Sequence, residues 1–452
     1  MPSGSEALDL VLGGGLPRDA IVLLVGAPGS GKTLLAQQTV FANGTSDHPA
    51  LFLTTGSEPL EKVLRYGETL SFFDSHAVGK RVVYEDLGIT LRDSGLLGVL
   101  DRLRELIQAY QPSIMVIDSF RAMSSYADRT GGFRRFLHDL AGTVSAFPVT
   151  SLWLGEYEDD SLRRGPEFAV ADAIVSMETE HTGSGTTRAL QIHKLRGGGY
   201  LAGKHAYRLS ADGMKVFLRP AEPVGMPGQL GTERSASGVQ ALDDMLGHGH
   251  WPGTSTLVAG PTGIGKTLMG LHYLFRGLDQ GEPALIITMR EDPAHLERSV
   301  ARFGWTLDTP GLTVMYRSPV DLHVDEWVDE LLDEVGGSKA KRALLDSLGD
   351  LRTASLNQTR FREYLYSLLQ RAAHNGTSLM MTYELPQLFG VTKLPEASAS
   401  DLADDVVLLQ YEQEASKLTR TVMLLKTRAS GHHAEMRQFE ITLDGLALVP
   451  PG

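Results

Sequence analysis

Gly26-Ala27-Pro28-Gly29-Ser30-Gly31-Lys32-Thr33 and Gly260-Pro261-Thr262-Gly263-Ile264-Gly265-Lys266-Thr267 both fit the pattern G-x-x-x-x-G-K-[ST]. The spacing suits one task. Glycines let the backbone turn tightly, so that successive N–H groups and the start of a helix converge on phosphate oxygens. Lys32 and Lys266 then reach the outer phosphates, and the hydroxyls of Thr33 and Thr267 are offered to Mg²⁺. The pattern needs a strand before it and a helix after it. Ile21-Val22-Leu23-Leu24-Val25 and Leu257-Val258-Ala259 supply the strands, while Leu34-Leu35-Ala36-Gln37-Gln38 and Leu268-Met269-Gly270-Leu271-His272 begin the helices. The expected ligand is a nucleotide with Mg²⁺, touching Gly26, Gly29, Ser30, Gly31, Lys32 and Thr33 in one copy and Gly260, Gly263, Ile264, Gly265, Lys266 and Thr267 in the other.

The two loops are 234 residues apart, and the flanking sequence repeats at the same offset. Upstream, Ser3-Gly4, Ala7-Leu8-Asp9 and Leu12-Gly13 recur as Ser237-Gly238, Ala241-Leu242-Asp243 and Leu246-Gly247. Downstream, Ala50-Leu51-Phe52-Leu53-Thr54 pairs with Ala284-Leu285-Ile286-Ile287-Thr288, each ending in a short acidic, proline-containing turn. Next come Ile114-Met115-Val116-Ile117-Asp118-Ser119 and Arg342-Ala343-Leu344-Leu345-Asp346-Ser347. A carboxylate at a strand's carboxyl end can hold Mg²⁺, which makes Asp118 and Asp346 candidate metal residues. An aspartate after an apolar run more often simply begins a turn; its recurrence downstream of both loops favours the metal role.

Two more strands follow in each half: Val149–Leu154 with Ala171–Val175, and Thr377–Thr382 with Ala403–Leu409. Each half then closes on Lys194-Leu195-Arg196-Gly197 or Lys426-Thr427-Arg428. Continuous apolar strands alternating with helices predict an α/β fold. Each repeat should be a mostly parallel sheet covered by helices on both faces. The Pro- and Gly-rich stretch Arg219–Gly228 separates the halves. The expected domains are 1–220 and 237–452, joined by a semi-rigid linker, 221–236.

Bulk properties narrow the class. No apolar run approaches the length that crosses a bilayer, and the N-terminus is not of signal-peptide type, so a cytoplasmic protein without membrane attachment is expected. The absence of cysteine excludes disulfides, thiolate metal sites and cysteine nucleophiles. With 55 acidic against 42 basic residues, a net charge of −13 disfavours a sequence-independent grip on nucleic acid. Gly131-Gly132-Phe133-Arg134-Arg135 is the one short basic-aromatic cluster of that kind, and it reads as a helix start. His432-His433 has no third ligand at recognisable spacing and reads as surface.

The S-G-x-x-x-L-D lead-in, the P-loop, the D-S strand end, the A-D-x-[IV]-[IV] strand and the K-x-R segment, each present twice, resemble the KaiC family of clock ATPases and autokinases. The resemblance covers nearly the whole chain. It implies two tandem RecA-like P-loop domains, ATP held at subunit boundaries and a homo-hexamer stacked as a double ring, with KaiB-like or other signalling proteins as partners. It also implies that Lys194, Arg196, Lys426 and Arg428 reach the γ-phosphate bound by a neighbouring subunit, where cations stabilise transition-state charge. The plainer alternative is a solvated alternation of basic residues on an edge strand.

Two departures from the family pattern bear on chemistry. Family members carry two adjacent glutamates after the second strand, one of them a candidate general base. Here Gly56-Ser57 occupies that place in the first half and Arg290-Glu291 in the second, so only Glu291 remains in register. Glu58 could replace the base if the turn shifted by one residue. Slow hydrolysis is expected, chiefly at the C-terminal site. The family also places a Ser-Thr phospho-acceptor pair before the A-D strand; this chain has Ser400-Asp401, one acceptor and one carboxylate. Asp401 resembles a partial phosphate mimic, although small polar residues also suit an ordinary loop. The sequence stops at Pro450-Pro451-Gly452, so the long tail by which KaiC engages its activator is not expected. A DNA-acting motor and a nucleotide-glued scaffold are the competing readings.

Overall fold

The computed structural model describes residues 1–56, 59–127, 132–157, 165–182, 185–219, 232–318, 322–355, 358–387, 389, 397–414, 417–428, 435–443 and 445–449. Ser57, Glu58, Gly131, most of the expected linker, His432-His433 and Pro450–Gly452 lie outside them. The chain divides into two compact units, Met1–Arg219 and Pro220–Gly452.

The first unit is built on β1 (Ile21–Gly26), β2 (Ala50–Thr54), β3 (Val82–Asp86), β4 (Ile114–Asp118), β5 (Thr150–Glu156), β6 (Ala173–Thr182), β7 (Gly185–Leu195), β8 (Lys204–Ser210) and β9 (Gly213–Phe217). They form one sheet in the order β3-β2-β4-β5-β1-β6-β7-β8-β9, parallel from β3 through β6 and antiparallel beyond. Successive side chains of β1 point to opposite faces, and both faces are buried. Ile21, Leu23 and Val25 pack with Leu103 and Ile107 of the helix Gly88–Tyr110 and with Phe136 and Leu140 of the helix Gly132–Ser145. Val22 and Leu24 pack on the other side with Leu35, Ala36 and Val40 of the helix Lys32–Asn43. Burial on both faces is why the sequence shows continuous apolar runs instead of strict alternation.

The second unit repeats this plan with β10 (Ser255–Gly260), β11 (Ala284–Thr288), β12 (Leu312–Tyr316), β13 (Arg342–Asp346), β14 (Ser378–Glu384), β15 (Asp405–Glu414), β16 (Lys417–Thr427), β17 (Arg437–Thr442) and β18 (Gly445–Leu448). Its order, β12-β11-β13-β14-β10-β15-β16-β17-β18, is the first order shifted by nine. Each unit is therefore an α/β, RecA-like domain with a mostly parallel sheet and helices on both faces. Arg234, Ser235 and Ala236, which the sequence puts in the linker, are bonded within the second unit. Arg234 Nη1 donates to Leu246 O at 2.7 Å and Gly249 O at 2.8 Å, Ser235 pairs with His250, and Arg342 Nη1 donates to Ala236 O at 2.6 Å.

Two strand registers position everything chemical. Gly26 lies opposite Glu156 and Thr54 opposite Asp118, so the P-loop and both carboxylates share the carboxyl ends of the central strands. Gly260–Glu384 and Thr288–Asp346 repeat this arrangement. Ligands of open α/β sheets gather at that edge. Lys194 and Lys426 lie near the ends of β7 and β16, past the ladders to β8 and β17, and Arg196 and Arg428 follow the strand ends. β7 is flanked by β6 and β8, and β16 by β15 and β17.

Candidate nucleotide sites

Each P-loop ends at a glycine that caps the following helix in the left-handed region, Gly31 at φ 93° and Gly265 at φ 116°. A side chain is strained there, which is why the pattern fixes glycine at this step. Tyr207 of β8 donates its hydroxyl to Ser30 O at 2.6 Å and steadies the first loop, a contact with no local sequence signal.

Both loop lysines are buried. Lys32 Nζ donates to Gly26 O and Ala27 O at 2.9 Å each, and Lys266 Nζ donates to Pro261 O at 2.8 Å. Burial pushes the Lys32 ammonium below its ordinary value, against the pull of Glu156 and Asp118. Burial likewise lowers Lys266, which Glu384 and Asp346 raise and Arg290 lowers further. A desolvated cation held among main-chain carbonyls is poised for an anionic ligand.

The candidate metal residues lie in contact in both units. Thr33 Oγ1 donates to Asp118 Oδ2 at 2.7 Å, and Thr267 Oγ1 donates to Asp346 Oδ2 at 2.8 Å. A hydroxyl and a carboxylate brought together at a phosphate-binding loop are hard oxygen donors of the kind Mg²⁺ takes alongside phosphate oxygens. The residues therefore fit ATP·Mg²⁺ in both units.

The turn after the second strand distinguishes the halves. In the second unit Glu291 is half-buried, its Oε2 has no hydrogen-bond partner among the described residues, and its carboxyl is raised above the ordinary value by burial and then by Asp346. A raised carboxyl with a free oxygen beside the candidate metal residues has the chemistry and position of a general base. Arg290, beside it, donates through Nη1 to Glu384 Oε2 at 2.6 Å and through Nη2 to Asp350 Oδ1 at 3.4 Å. Neither partner was legible in sequence.

In the first unit Ser57 and Glu58 lie outside the described residues, and Gly56 stands where the second unit has Arg290. Gly56 sits at φ 76°, and a Cβ on it would lie 3.2 Å from the Cα of Gly88. The converse contact, a Cβ on Gly88 against Gly56 Cα, would be 2.9 Å. Gly88 N donates to Asp86 Oδ1 at 2.8 Å, and Asp86 Oδ1 also accepts from Thr54 Oγ1 at 3.2 Å. The place of the first family glutamate is thus closed by backbone packing.

The K-x-R residues stand at the other end of the sheet from their own unit's P-loop. Leu195 lies opposite Ala173, which lies opposite Val22 near the start of β1; Thr427, Asp405 and Thr256 repeat the arrangement in the second unit. From Val22 to Gly26, where the P-loop begins, is about 13 Å at about 3.3 Å per residue. Lys194 Nζ donates to Phe168 O at 3.4 Å and Ala169 O at 3.5 Å, and Arg196 pairs with Asp172 at 3.3 Å. Lys426 Nζ donates to Ser400 O at 2.9 Å, Asp401 O at 3.2 Å and Ala403 O at 2.6 Å, while Arg428 lies 3.7 Å from Asp404. Cations at the carboxyl ends of the short helices Glu167–Val170 and Ala397–Leu402 meet their outward-facing carbonyls. Both arginines stay more than half exposed. Ser400 belongs to the second of these helices and so shares the far end of the sheet.

A family model described as "ATPase: KaiC" matches residues 1–221 and again 235–452. Among curated proteins, the chain is 27% identical to the circadian clock oscillator protein KaiC of Picosynechococcus sp., over 98% of this chain and 88% of that one. It is 28% identical to KaiC of Thermosynechococcus vestitus over the same shares, and 26% identical to KaiC 1 of Synechocystis sp. over 97% of this chain and 87% of that one.

Proposed function

The chain belongs to the KaiC family of ATPases, and on that premise we propose that it forms nucleotide-bridged hexameric rings in which the C-terminal site hydrolyses ATP slowly and the N-terminal site holds ATP chiefly as a clamp. The observation that carries this reading is the placement of Lys194, Arg196, Lys426 and Arg428 a strand length from the P-loop of their own unit. Side chains there cannot serve that unit's own phosphate, so their use as phosphate-stabilising cations requires a P-loop outside that unit, which in a ring is a neighbouring chain's. A ligand gripped from two sides favours the associated state by mass action.

At the C-terminal site Lys266 and the loop amides bind the phosphates, Thr267 and Asp346 hold Mg²⁺, and Glu291 takes the proton of the attacking water. Mg²⁺ bound there would neutralise developing charge on the phosphate. Arg428 and Lys426 of a neighbouring chain stabilise the same charge from outside. At the N-terminal site Lys32, Thr33 and Asp118 keep the binding parts, while Gly56 offers no carboxylate. This supports the scaffold reading for that half alone.

Autokinase activity is the finer part of the proposal. Ser400 is the acceptor and, sitting with Lys426, it would receive phosphate from a neighbour's site. Partners are signalling proteins, KaiB-like or other, and the protein acts without membrane attachment in the cytoplasm. No helix among the described residues is long and apolar enough to cross a bilayer. Sizing with and without ATP·Mg²⁺, combined with label transfer from γ-labelled ATP, tests assembly and chemistry together. A monomer at saturating ATP·Mg²⁺ contradicts the proposal.

A further inference from the structure

We propose that Arg290 reads the γ-phosphate, giving the C-terminal site a stronger preference for nucleoside triphosphate over diphosphate than the N-terminal site has. The inference rests on the reading that the C-terminal P-loop binds nucleotide, and it adds to that reading a residue that selects between nucleotides.

Register fixes the position. Thr288 ends β11 opposite Asp346, whose carboxylate bonds Thr267, and Arg290 follows two residues later. Glu384 ends β14 opposite Gly260, the first residue of the P-loop, and the Arg290 guanidinium reaches it at 2.6 Å. Arg290 therefore stands on the side of the site where the metal residues and the P-loop meet. Lys266 feels its charge together with those of Glu384 and Asp346.

The guanidinium is held in a way that can be exchanged. Its side chain is 55% exposed and that of Glu384 37%, and the second contact, to Asp350, is longer at 3.4 Å. Exposed ion pairs of this kind are weakly held. A guanidinium on a phosphate makes two parallel, charge-assisted bonds and is the stronger arrangement. Arg290 and Glu291 also border a cavity of about 650 Å³ that Arg298 and Arg302 line as well. Three arginines against Glu291 and Asp292 leave the space beside the fork open and net cationic, which favours an anion next to Arg290.

The first unit is an internal control. It keeps the loop lysine, the strand-end aspartate and the glutamate opposite the P-loop, as Lys32, Asp118 and Glu156, but has Gly56 in place of Arg290. Glu156 thus faces its P-loop with no arginine at position 56 to neutralise it. A third phosphate there draws on Lys32 but gains no arginine from the turn after the second strand.

The test is calorimetric binding of ADP and of a non-hydrolysable ATP analogue to the full chain, resolved into its two classes of site. Arg290→Gly should lower the triphosphate-to-diphosphate affinity ratio of the C-terminal class by about tenfold, the scale of one charge-assisted hydrogen bond less its competing pair. The N-terminal class should not change. Arg290→Lys should lose less, because charge remains while the fork is lost, and Glu384→Gln should raise the ratio by freeing the guanidinium. Equal losses for both nucleotides would make Arg290 a structural brace and overturn the proposal, as would an unchanged ratio in Arg290→Gly or in Glu384→Gln. No C-terminal nucleotide class in the unsubstituted chain would remove the ATPase reading and this inference with it; an unchanged ratio with binding intact removes this inference alone.

Discussion

The main-chain amide of Ile21 donates to the Asp172 carboxylate at 3.0 Å, tying the start of the P-loop strand to the strand that precedes the K-x-R segment. Ser255 and Asp404 repeat the bond at 2.9 Å in the second unit. Ser400 is held at that end of the sheet through its carbonyl, which accepts from Lys426. Label transfer to Ser400 is therefore expected to be intermolecular, falling as the protein is diluted below its assembly range. Ser400→Ala should eliminate the label. Label that persists in that variant, or a rate per chain that ignores dilution, excludes this route.

Assembly should depend more on the N-terminal than on the C-terminal nucleotide, because the first site keeps its binding groups and lacks a base. Lys32→Ala is expected to shift the light-scattering mass at saturating ATP·Mg²⁺ towards monomer more than Lys266→Ala does. Equal effects would leave the division between clamp and catalyst without support.

Hydrolysis should follow Glu291. A positioned base contributes roughly 10²–10⁴ in rate, so Glu291→Gln is expected to remove most turnover while leaving ATP binding intact. Glu58→Gln should do much less; if it abolishes turnover and Glu291→Gln does not, the roles of the two turns are reversed. Restoring the family residue at Gly56 is not expected to help. Gly56→Glu places a side chain at φ 76° against Gly88, costing about 1–2 kcal/mol of stability without adding turnover. Thermal melts and turnover assays read both effects.

A pH dependence of stability is expected from His272, which is buried and accepts a hydrogen bond at Nε2 from Leu446 N at 3.0 Å. Burial lowers its value from the ordinary 6.5, so the folded chain keeps the ring neutral where the unfolded chain takes up a proton. The stabilisation is full above pH 6.5 and is lost as pH falls from there through the lower folded value. Urea melts of His272→Gln should show a shallower fall below pH 6.5 than the unsubstituted chain. Parallel slopes would show that other groups carry the effect.

The sequence made the catalytic edge legible because that edge is built from local patterns. Glycine spacing declares Gly26–Thr33, and a buried apolar run before a carboxylate declares Asp118 and Asp346. The edge strands Val82–Asp86 and Leu312–Tyr316 were missed, since a strand with one neighbour is only partly buried and carries a mixed pattern. The pairing of Arg290 with Glu384 and the closing of Gly56 on Gly88 were also invisible. Both are contacts between turns far apart in the chain, fixed by strand order instead of by either turn's own residues. The interior position of β7 and β16 was hidden for the same reason, because it depends on strands that arrive later.

Mixing two inactive chains tests the central claim most directly. Lys266→Ala removes the C-terminal phosphate lysine, and Arg428→Ala removes the cation a strand length away; each alone should hydrolyse ATP poorly. In a mixed ring, an intact P-loop on one chain can face an intact Arg428 on its neighbour. Turnover should then rise on mixing, above the sum of the separate activities and in proportion to the fraction of such pairings. Turnover that stays at the sum of the two variants, in rings shown by light scattering to contain both, would contradict sites shared between subunits.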